Sequence, residues 1–187
     1  MIDVADPVDL TLSDGRSIKV GGRIDRVDRI GGSGSTSFSI WDYKSGSAWG
    51  FDANDPFKEG RKLQPYLYCG MLRHRLIETV GEEANVNYFG YFFPSPKTGG
   101  LRISWTTGHL NSGDAILRNI CDAISNGVFL ATTSEHDCKY CDYLTICGSP
   151  SETAASSLFQ LENCHDSSLD SMRMLRGVTL DDSDSPL

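Results

Sequence analysis

The chain has 187 residues, of which 39% are hydrophobic and 10% aromatic, enough apolar material for one domain of ordinary size. Its formal net charge of −8 excludes a generally basic surface, so any nucleic-acid site has to be a local feature. No run of about 18 apolar residues occurs, and the acidic opening MIDVADPVDL does not resemble a secretory signal, which together predict a soluble cytoplasmic protein without a membrane partner.

The first third of the chain carries strand and turn signals. VDLTL and RSIKV flank the turn SDG, which is typical of a β-hairpin over 8–20. GGRIDRVDRI predicts a strand over 21–30, the Gly/Ser-rich segment 31–37 turns the chain back, and FSIWDYKS predicts a strand over 38–45. We therefore expect residues 8–46 to form an antiparallel meander.

Helical and strand patterns then alternate. Apolar residues at helical spacing predict a helix over 58–80, although Pro65 favours a start or a kink at that point. Two strands are predicted over 86–93 and 101–105, followed by an amphipathic helix over 112–129. This order predicts an α/β fold of the α+β kind, with a mixed central sheet flanked by helices.

The last part of the chain has a different composition. We expect residues 149–187 to form an acidic, Ser-rich tail with little fixed structure, following a domain over 1–148. Three of the six cysteines, Cys138, Cys141 and Cys147, are bunched in CKYCDYLTIC. In the absence of a secretory signal, this bunching favours a metal or a cluster over disulfides.

The hexapeptide WDYKSG places two opposite charges on one side of a predicted strand. Side chains alternate along a strand with a period of two, so Asp42 and Lys44 point to the same face. A cross-strand ion pair on a solvated surface is the ordinary explanation for such a pair.

Neighbouring acids favour a second explanation. If strand 21–30 pairs with strand 38–45, Asp25 or Asp28 comes beside Asp42, and two carboxylates at close range need a cation such as Mg²⁺ or Mn²⁺ between them. Lys44 then lies where a point charge stabilises a phosphate-centred transition state or orients an attacking water. This combination indicates phosphodiester hydrolysis.

Four motifs together resemble the PD-(D/E)xK nucleases, in particular the RecB/AddB-type exonuclease domain with its restriction-endonuclease-like core. The motifs are GRIDRVD at 22–28, WDYKSG at 41–46, QPYLY at 64–68, and the C-x2-C-x5-C run at 138–147. The resemblance implies that Asp25 and Asp42 are the metal carboxylates, that Lys44 is the catalytic lysine, and that the carbonyl of Tyr43 reaches the metal. Asp28 is implied only to support the metal ligands indirectly, and a salt link to a neighbouring arginine explains it equally well.

The resemblance also implies catalytic roles for Gln64 and Tyr68, which are neighbours on one helix face at i and i+4. There they would hold a DNA phosphate or the attacking water; otherwise Gln64 caps the helix and Tyr68 is simply half-buried. A local basic track is offered by four residues, although a solvated helix face explains each of them better: Arg61, Lys62, Arg73 and Arg75.

The cysteine run resembles the end of the iron–sulfur staple of this family. The resemblance implies that Cys138, Cys141 and Cys147 supply three of the four ligands of a [4Fe–4S] cluster. Cys69 and Cys121 have the spacing of helix-core residues, and Cys164 is a weak candidate for the fourth ligand. A zinc site completed by His136 or His165 is the alternative.

The resemblance further implies an acid- or histidine-bearing helix before the first strand, and the chain begins almost directly at VDLTL. We therefore expect the chain to be the carboxy-terminal part of a longer polypeptide, with weak or no activity when isolated and with an incomplete cluster.

Three functions are compatible with the sequence. The leading one is a Mg²⁺-dependent DNA exonuclease domain that works with a helicase domain or subunit in double-strand-break repair and recombination. The others are a nuclease of the CRISPR-adaptation type and a catalytically silent domain that binds DNA or supports a partner.

Overall fold

The computed structural model describes residues 6–181, so the end of the predicted tail, 182–187, lies outside the described residues. The chain forms two compact units, Met1–Asp114 and Ala115–Leu187. None of the helices in 6–181 combines the length and the apolar character that crossing a membrane requires.

Within the described residues, the first unit contains two sheets. Its strands are β1 (Val8–Thr11), β2 (Ser17–Val20), β3 (Arg26–Ile30), β4 (Ser37–Tyr43), β5 (Asn85–Phe92) and β6 (Arg102–Thr106). β1 and β2 pair as the predicted hairpin, but they form a sheet of their own, so the expected continuous meander over 8–46 is wrong. The other sheet has the order β3-β4-β5-β6, with β4 and β5 parallel and the other pairs antiparallel.

Helices complete the predicted mixed α/β fold. They are α1 (Gln64–Thr79), α2 (Gly113–Ser125), α3 (Leu144–Cys147), α4 (Pro150–Asn163) and α5 (Asp170–Arg176), with short 3₁₀ turns between some of them.

The crossover β4-α1-β5 organises the first unit. Parallel neighbours need such a crossover, and here α1 packs against β5 with Met71 and Leu72 fully buried beneath it. Ile40 of β4 and Phe89 of β5 are opposite each other and fully buried, which fixes the register of the pair. The helix begins at Gln64 with Pro65 in its first turn, where a missing N–H costs nothing, so the predicted start at residue 58 is too early.

The predicted strand 21–30 is shorter than expected. β3 begins only at Arg26, and Asp25 lies in a bend before it. The expected positions of Asp25 and Asp28 on opposite faces of one regular strand are therefore wrong for Asp25. Its carboxylate instead accepts a hydrogen bond from the Tyr43 N–H at 2.8 Å, which replaces a strand-to-strand bond at this point.

The second unit corrects the expectation of a weakly ordered tail for residues 150–176. Helices α4 and α5 bury an apolar cluster that includes Leu161, Leu169 and Met172. The guanidinium of Arg173 is buried as well, and it donates to the carbonyl of Leu161 at 2.8 Å and to the carboxylate of Asp170 at 2.6 Å. The Ser-rich composition concealed this apolar spacing.

We predict that Leu161→Ala destabilises the second unit by about 2–5 kcal/mol, because it leaves a cavity at a fully buried position. Phe159→Ala, two residues away and 66% exposed, is the matched control, expected to change stability by less than about 0.5 kcal/mol. Chemical denaturation followed by circular dichroism, with proteolysis of residues 150–178, measures both. Equal behaviour of the two variants would restore the tail interpretation.

Candidate active site

Asp42, Lys44 and Gln64 form a closed set of contacts at the end of β4. Lys44 Nζ lies 2.6 Å from Asp42 Oδ2. Gln64 joins the two, since its Nε2 donates to Asp42 Oδ1 at 2.6 Å and its Oε1 accepts from Lys44 Nζ at 3.1 Å. Asp42 is only 5% exposed, and a buried carboxylate is stable only with such compensation. The prediction that Asp42 and Lys44 share one face is confirmed.

Tyr91 supports this set from β5. Because the NH₂ of Gln64 faces the carboxylate and its carbonyl faces the ammonium, the amide has one orientation. The buried Tyr91 hydroxyl donates to the same Gln64 Oε1 at 3.4 Å, and its ring centroid lies 5.1 Å from Lys44 Nζ. Burial, and then the Asp42 carboxylate, raises the pKa of Tyr91 above its ordinary value, so the phenol stays a donor.

Tyr91 is absent from the residues predicted from the sequence. It lies opposite Asp42 in the parallel register of β4 and β5, far away along the chain. The alternation in NYFGYFF is the signal that could have assigned it to the inward face, but only the register identifies its neighbour.

Asp25 and the backbone of Tyr43 lie beside this set. The Asp25 carboxylate is exposed and is held by the N–H of Tyr43, the residue directly after Asp42. N–H and C=O of one strand residue point to the same side, so the carbonyl of Tyr43 is directed towards Asp25. The side chain of Tyr43 is 44% exposed and packs edge-on against Phe92 instead of entering the site.

Asp28 has a different environment from Asp25. It forms an ion pair with Arg26 at 2.8 Å, and the same arginine approaches the Tyr43 hydroxyl at 3.4 Å. This matches the salt link considered from the sequence. No contact in the described residues brings Asp28 to Asp42 or Lys44.

Tyr68 lies one helical turn after Gln64, where it contacts the GRID segment. Its ring packs edge-on against Phe89 with the ring centroids 6.3 Å apart. A Cβ at position 22 would lie 3.2 Å from Tyr68 Cε1 and 3.4 Å from its hydroxyl, so Gly22 permits this close approach. Tyr68 thus packs the helix against the segment that carries Asp25, and it makes no hydrogen bond to Asp42 or Lys44 in residues 6–181.

The donor set at the end of β4 suits a small divalent cation. Two carboxylates and one carbonyl leave room for water and phosphate, as Mg²⁺ prefers, and Mn²⁺ accepts the same oxygen ligands. Asp42 Oδ2 supports this fit, because it is buried and makes no aligned hydrogen bond beyond its ion pair with Lys44. Across 6–181, no three His, Cys, Asp or Glu side chains are grouped to hold a metal, so a cation here would depend on non-protein ligands.

The cysteine run lies in the second unit. Cys138 is buried, whereas Cys141 and Cys147 are exposed. Partial burial, followed by the nearby thiols of Cys141 and Cys147, raises the pKa of Cys138, so the three are close enough to interact. In the described part of the chain they are nevertheless not grouped as a metal site, with or without His136 or His165.

The remaining cysteines fit packing positions. Burial raises the pKa of Cys69 to about 12, which marks an unreactive core thiol. Cys164 packs against the apolar cluster of the second unit.

A mixed sheet that presents Asp-x-Lys at the end of a central strand, with a second aspartate beside it and a glutamine from the crossover helix, is the core of a nuclease. The chain belongs to the PD-(D/E)XK nuclease superfamily, whose family model matches residues 2–148. No solved structure matches it.

Curated relatives are named as one and the same subunit of an ATP-dependent helicase/deoxyribonuclease. The chain is 33% identical over 86 residues to the protein of Clostridium tetani and 37% identical over 87 residues to that of Caldanaerobacter subterraneus. Each match covers 46% of this chain and 7% of the relative, so the chain spans a small part of these proteins.

We predict that Asp25→Asn weakens Mn²⁺ binding and lowers DNA cleavage by about a hundredfold or more, because it removes one of the two carboxylates. Asp28→Asn is the matched control, since it removes the same charge from an exposed ion pair three residues away. Isothermal titration with Mn²⁺ measures the first effect independently of catalysis. Equal losses in both variants would remove Asp25 from the metal site.

Proposed function

We propose that this chain is a divalent-metal-dependent deoxyribonuclease domain that trims DNA ends, in company with a helicase domain or subunit, during double-strand-break repair and recombination. The observation that carries the proposal is the closed set of Asp42, Lys44 and Gln64, which holds a charged lysine against a buried carboxylate. The names of the relatives support the DNA substrate and the helicase partner.

The first role of the site is to present oxygen ligands. Asp25, Asp42 and the carbonyl of Tyr43 would hold Mg²⁺, or Mn²⁺ in its place. When bound, the cation polarises a phosphate oxygen and lowers the pKa of a coordinated water. The bond from the Tyr43 N–H to Asp25 keeps one carboxylate in position before any ligand arrives.

Lys44 supplies the positive charge that the reaction needs. Its ammonium is fixed between Asp42 Oδ2 and Gln64 Oε1, which leaves a third donor to reach a phosphate oxygen or the attacking water. Charge builds up on the phosphate oxygens in the transition state, and a fixed donor stabilises it without reorganising. Gln64 and Tyr91 keep the lysine aimed, so they are positioning residues.

We predict that Lys44→Ala lowers metal-dependent cleavage of an end-labelled linear DNA by about 10²–10³-fold, because one fixed electrostatic stabiliser is lost. Gln64→Ala is expected to lower it less, since Lys44 keeps its ion pair with Asp42. Lys97→Ala, at an exposed lysine in a 3₁₀ turn, is the control and should cleave normally.

DNA binding by the same variants, measured in EDTA, completes the experiment. If the parent chain binds DNA without cutting it under Mg²⁺ or Mn²⁺, the nuclease proposal fails and the silent binding domain replaces it. Cleavage confined to CRISPR-type integration intermediates would favour the adaptation nuclease.

We also propose a [4Fe–4S] cluster in which Cys138, Cys141 and Cys147 are three ligands. The support is the family resemblance of their spacing and the proximity of the three thiols. The described residues do not gather a complete ligand set, so no catalytic step is assigned to the cluster.

We predict that anaerobically purified protein contains iron and acid-labile sulfide, and that Cys141→Ser lowers both because an exposed ligand is lost. Cys121→Ser, outside the bunched run, should leave the iron content unchanged. Zinc without sulfide would identify the alternative site, and neither metal would exclude both.

A further inference from the structure

The loop between β4 and α1, residues 45–63, has an unusual fixed conformation. Lys58 and Glu59 both adopt positive φ, at 47° and 53°, which side chains other than glycine rarely do. Asp55 stabilises the turn by accepting from the N–H groups of Phe57 and Lys58 at 3.1 and 2.8 Å. The strained turn therefore has compensation in its own surroundings.

Two further bonds anchor this loop to the first unit. The indole of Trp105 donates to the carbonyl of Ala53 at 2.7 Å. The N–H of Lys62 donates to the carbonyl of Phe57, a residue that is 3% exposed, at 2.9 Å. The backbone of Lys62 is thereby fixed immediately before the active-site helix.

The side chain of Lys62 lies beside the catalytic lysine. Its Nζ is 3.1 Å from the ring centroid of Phe51, and that ring packs against Tyr91 with the centroids 4.8 Å apart. Lys44 Nζ lies over the same Tyr91. Two ammonium groups therefore share a pair of touching aromatic rings.

Lys62 has no carboxylate to balance its charge within residues 6–181, whereas Lys44 is paired with Asp42. Burial, followed by repulsion from Lys58 and Lys44, lowers the pKa of Lys62 to about 8, so the amine is still largely charged at pH 7. A partly desolvated cation beside like charges, in a chain of net charge −8, is a site that needs an anion.

We propose that Lys62 binds a backbone phosphate of the nucleic-acid strand next to the phosphate held at Asp42 and Lys44, so that the β4–α1 loop guides the strand into the active site. The inference rests on the proposed nuclease function and adds a second phosphate subsite to it. Lys58, whose Nζ lies 5.7 Å from the centroid of the exposed Trp49 ring, extends the positive charge along the same loop.

The test is binding of a fluorescein-labelled single-stranded oligonucleotide in EDTA, measured by anisotropy over a range of salt concentrations. Lys62→Met keeps the apolar stem and removes the charge, so it should weaken binding by on the order of tenfold at low salt. The slope of log K against log salt should fall in magnitude by about 0.7, the loss of one phosphate contact. Lys62→Arg keeps the charge and should retain the slope.

Lys19→Met, at an exposed lysine of β2, is the matched control and should leave both quantities unchanged. Wild-type affinity and slope in Lys62→Met would overturn the proposal. Should Lys62→Met fold poorly, Lys62→Gln removes the same charge with a polar group of similar length, and the same two quantities decide.

Stability separates phosphate binding from a merely structural role. The folded pKa of Lys62 is about 8 and the ordinary value is 10.5, so the unfolded chain holds more protons between these values and wild-type stability rises relative to Lys62→Met as pH rises through them. We expect the variant to be at least as stable as wild type at pH 7. The charged groups around Lys62 are Lys58 in its own loop and Lys44 on β4, with the Tyr91 phenol next to Phe51.

A stability loss at pH 7 in Lys62→Met without a change in the salt slope would assign Lys62 to packing alone. Failure of this inference is distinct from failure of the nuclease proposal. Cleavage that depends on Lys44 but is unaffected in rate and affinity by Lys62→Met removes only the subsite. Weaker binding in Lys62→Met by a chain that never cleaves DNA keeps the subsite and removes the nuclease.

Discussion

The candidate site depends on one buried carboxylate. Asp42 is almost completely enclosed at the end of the central strand, and an isolated charge there would cost several kcal/mol. Lys44 balances the charge and Gln64 satisfies the other oxygen, which requires α1 to begin at that point. The start of the helix, the crossover to β5 and the position of Tyr91 are consistent with this single requirement.

The residues of the site came from the sequence where the rule was local. Strand alternation correctly placed Asp42 and Lys44 on one face, and Pro65 correctly marked the start of the helix. Asp25 was chosen by motif resemblance, but its position in a bend depends on a side-chain bond to the Tyr43 N–H, which no periodicity encodes. Tyr91 required the register of two strands that are distant along the chain.

The second unit shows the limit of composition. Serines and acids in the last part of the chain indicated a tail with little structure, yet Leu161, Leu169 and Met172 meet in a small core. Arg173 is buried because backbone carbonyls receive its donors, an arrangement that depends on tertiary structure. Lys62 illustrates the same limit in the first unit, since its partners are aromatic rings that a helix-face pattern does not reveal.

The parallel pairing of β4 with β5 also has a kinetic consequence. The β3–β4 hairpin is a local contact and can form early, whereas Asp42 meets Tyr91 only after the loop and α1 have closed the crossover. Until then Asp42 is an ordinary solvated acid with no enclosed lysine beside it. During refolding or synthesis, secondary structure therefore precedes the assembled site, and partly folded chains carry the motif residues without the arrangement that would let them act on DNA.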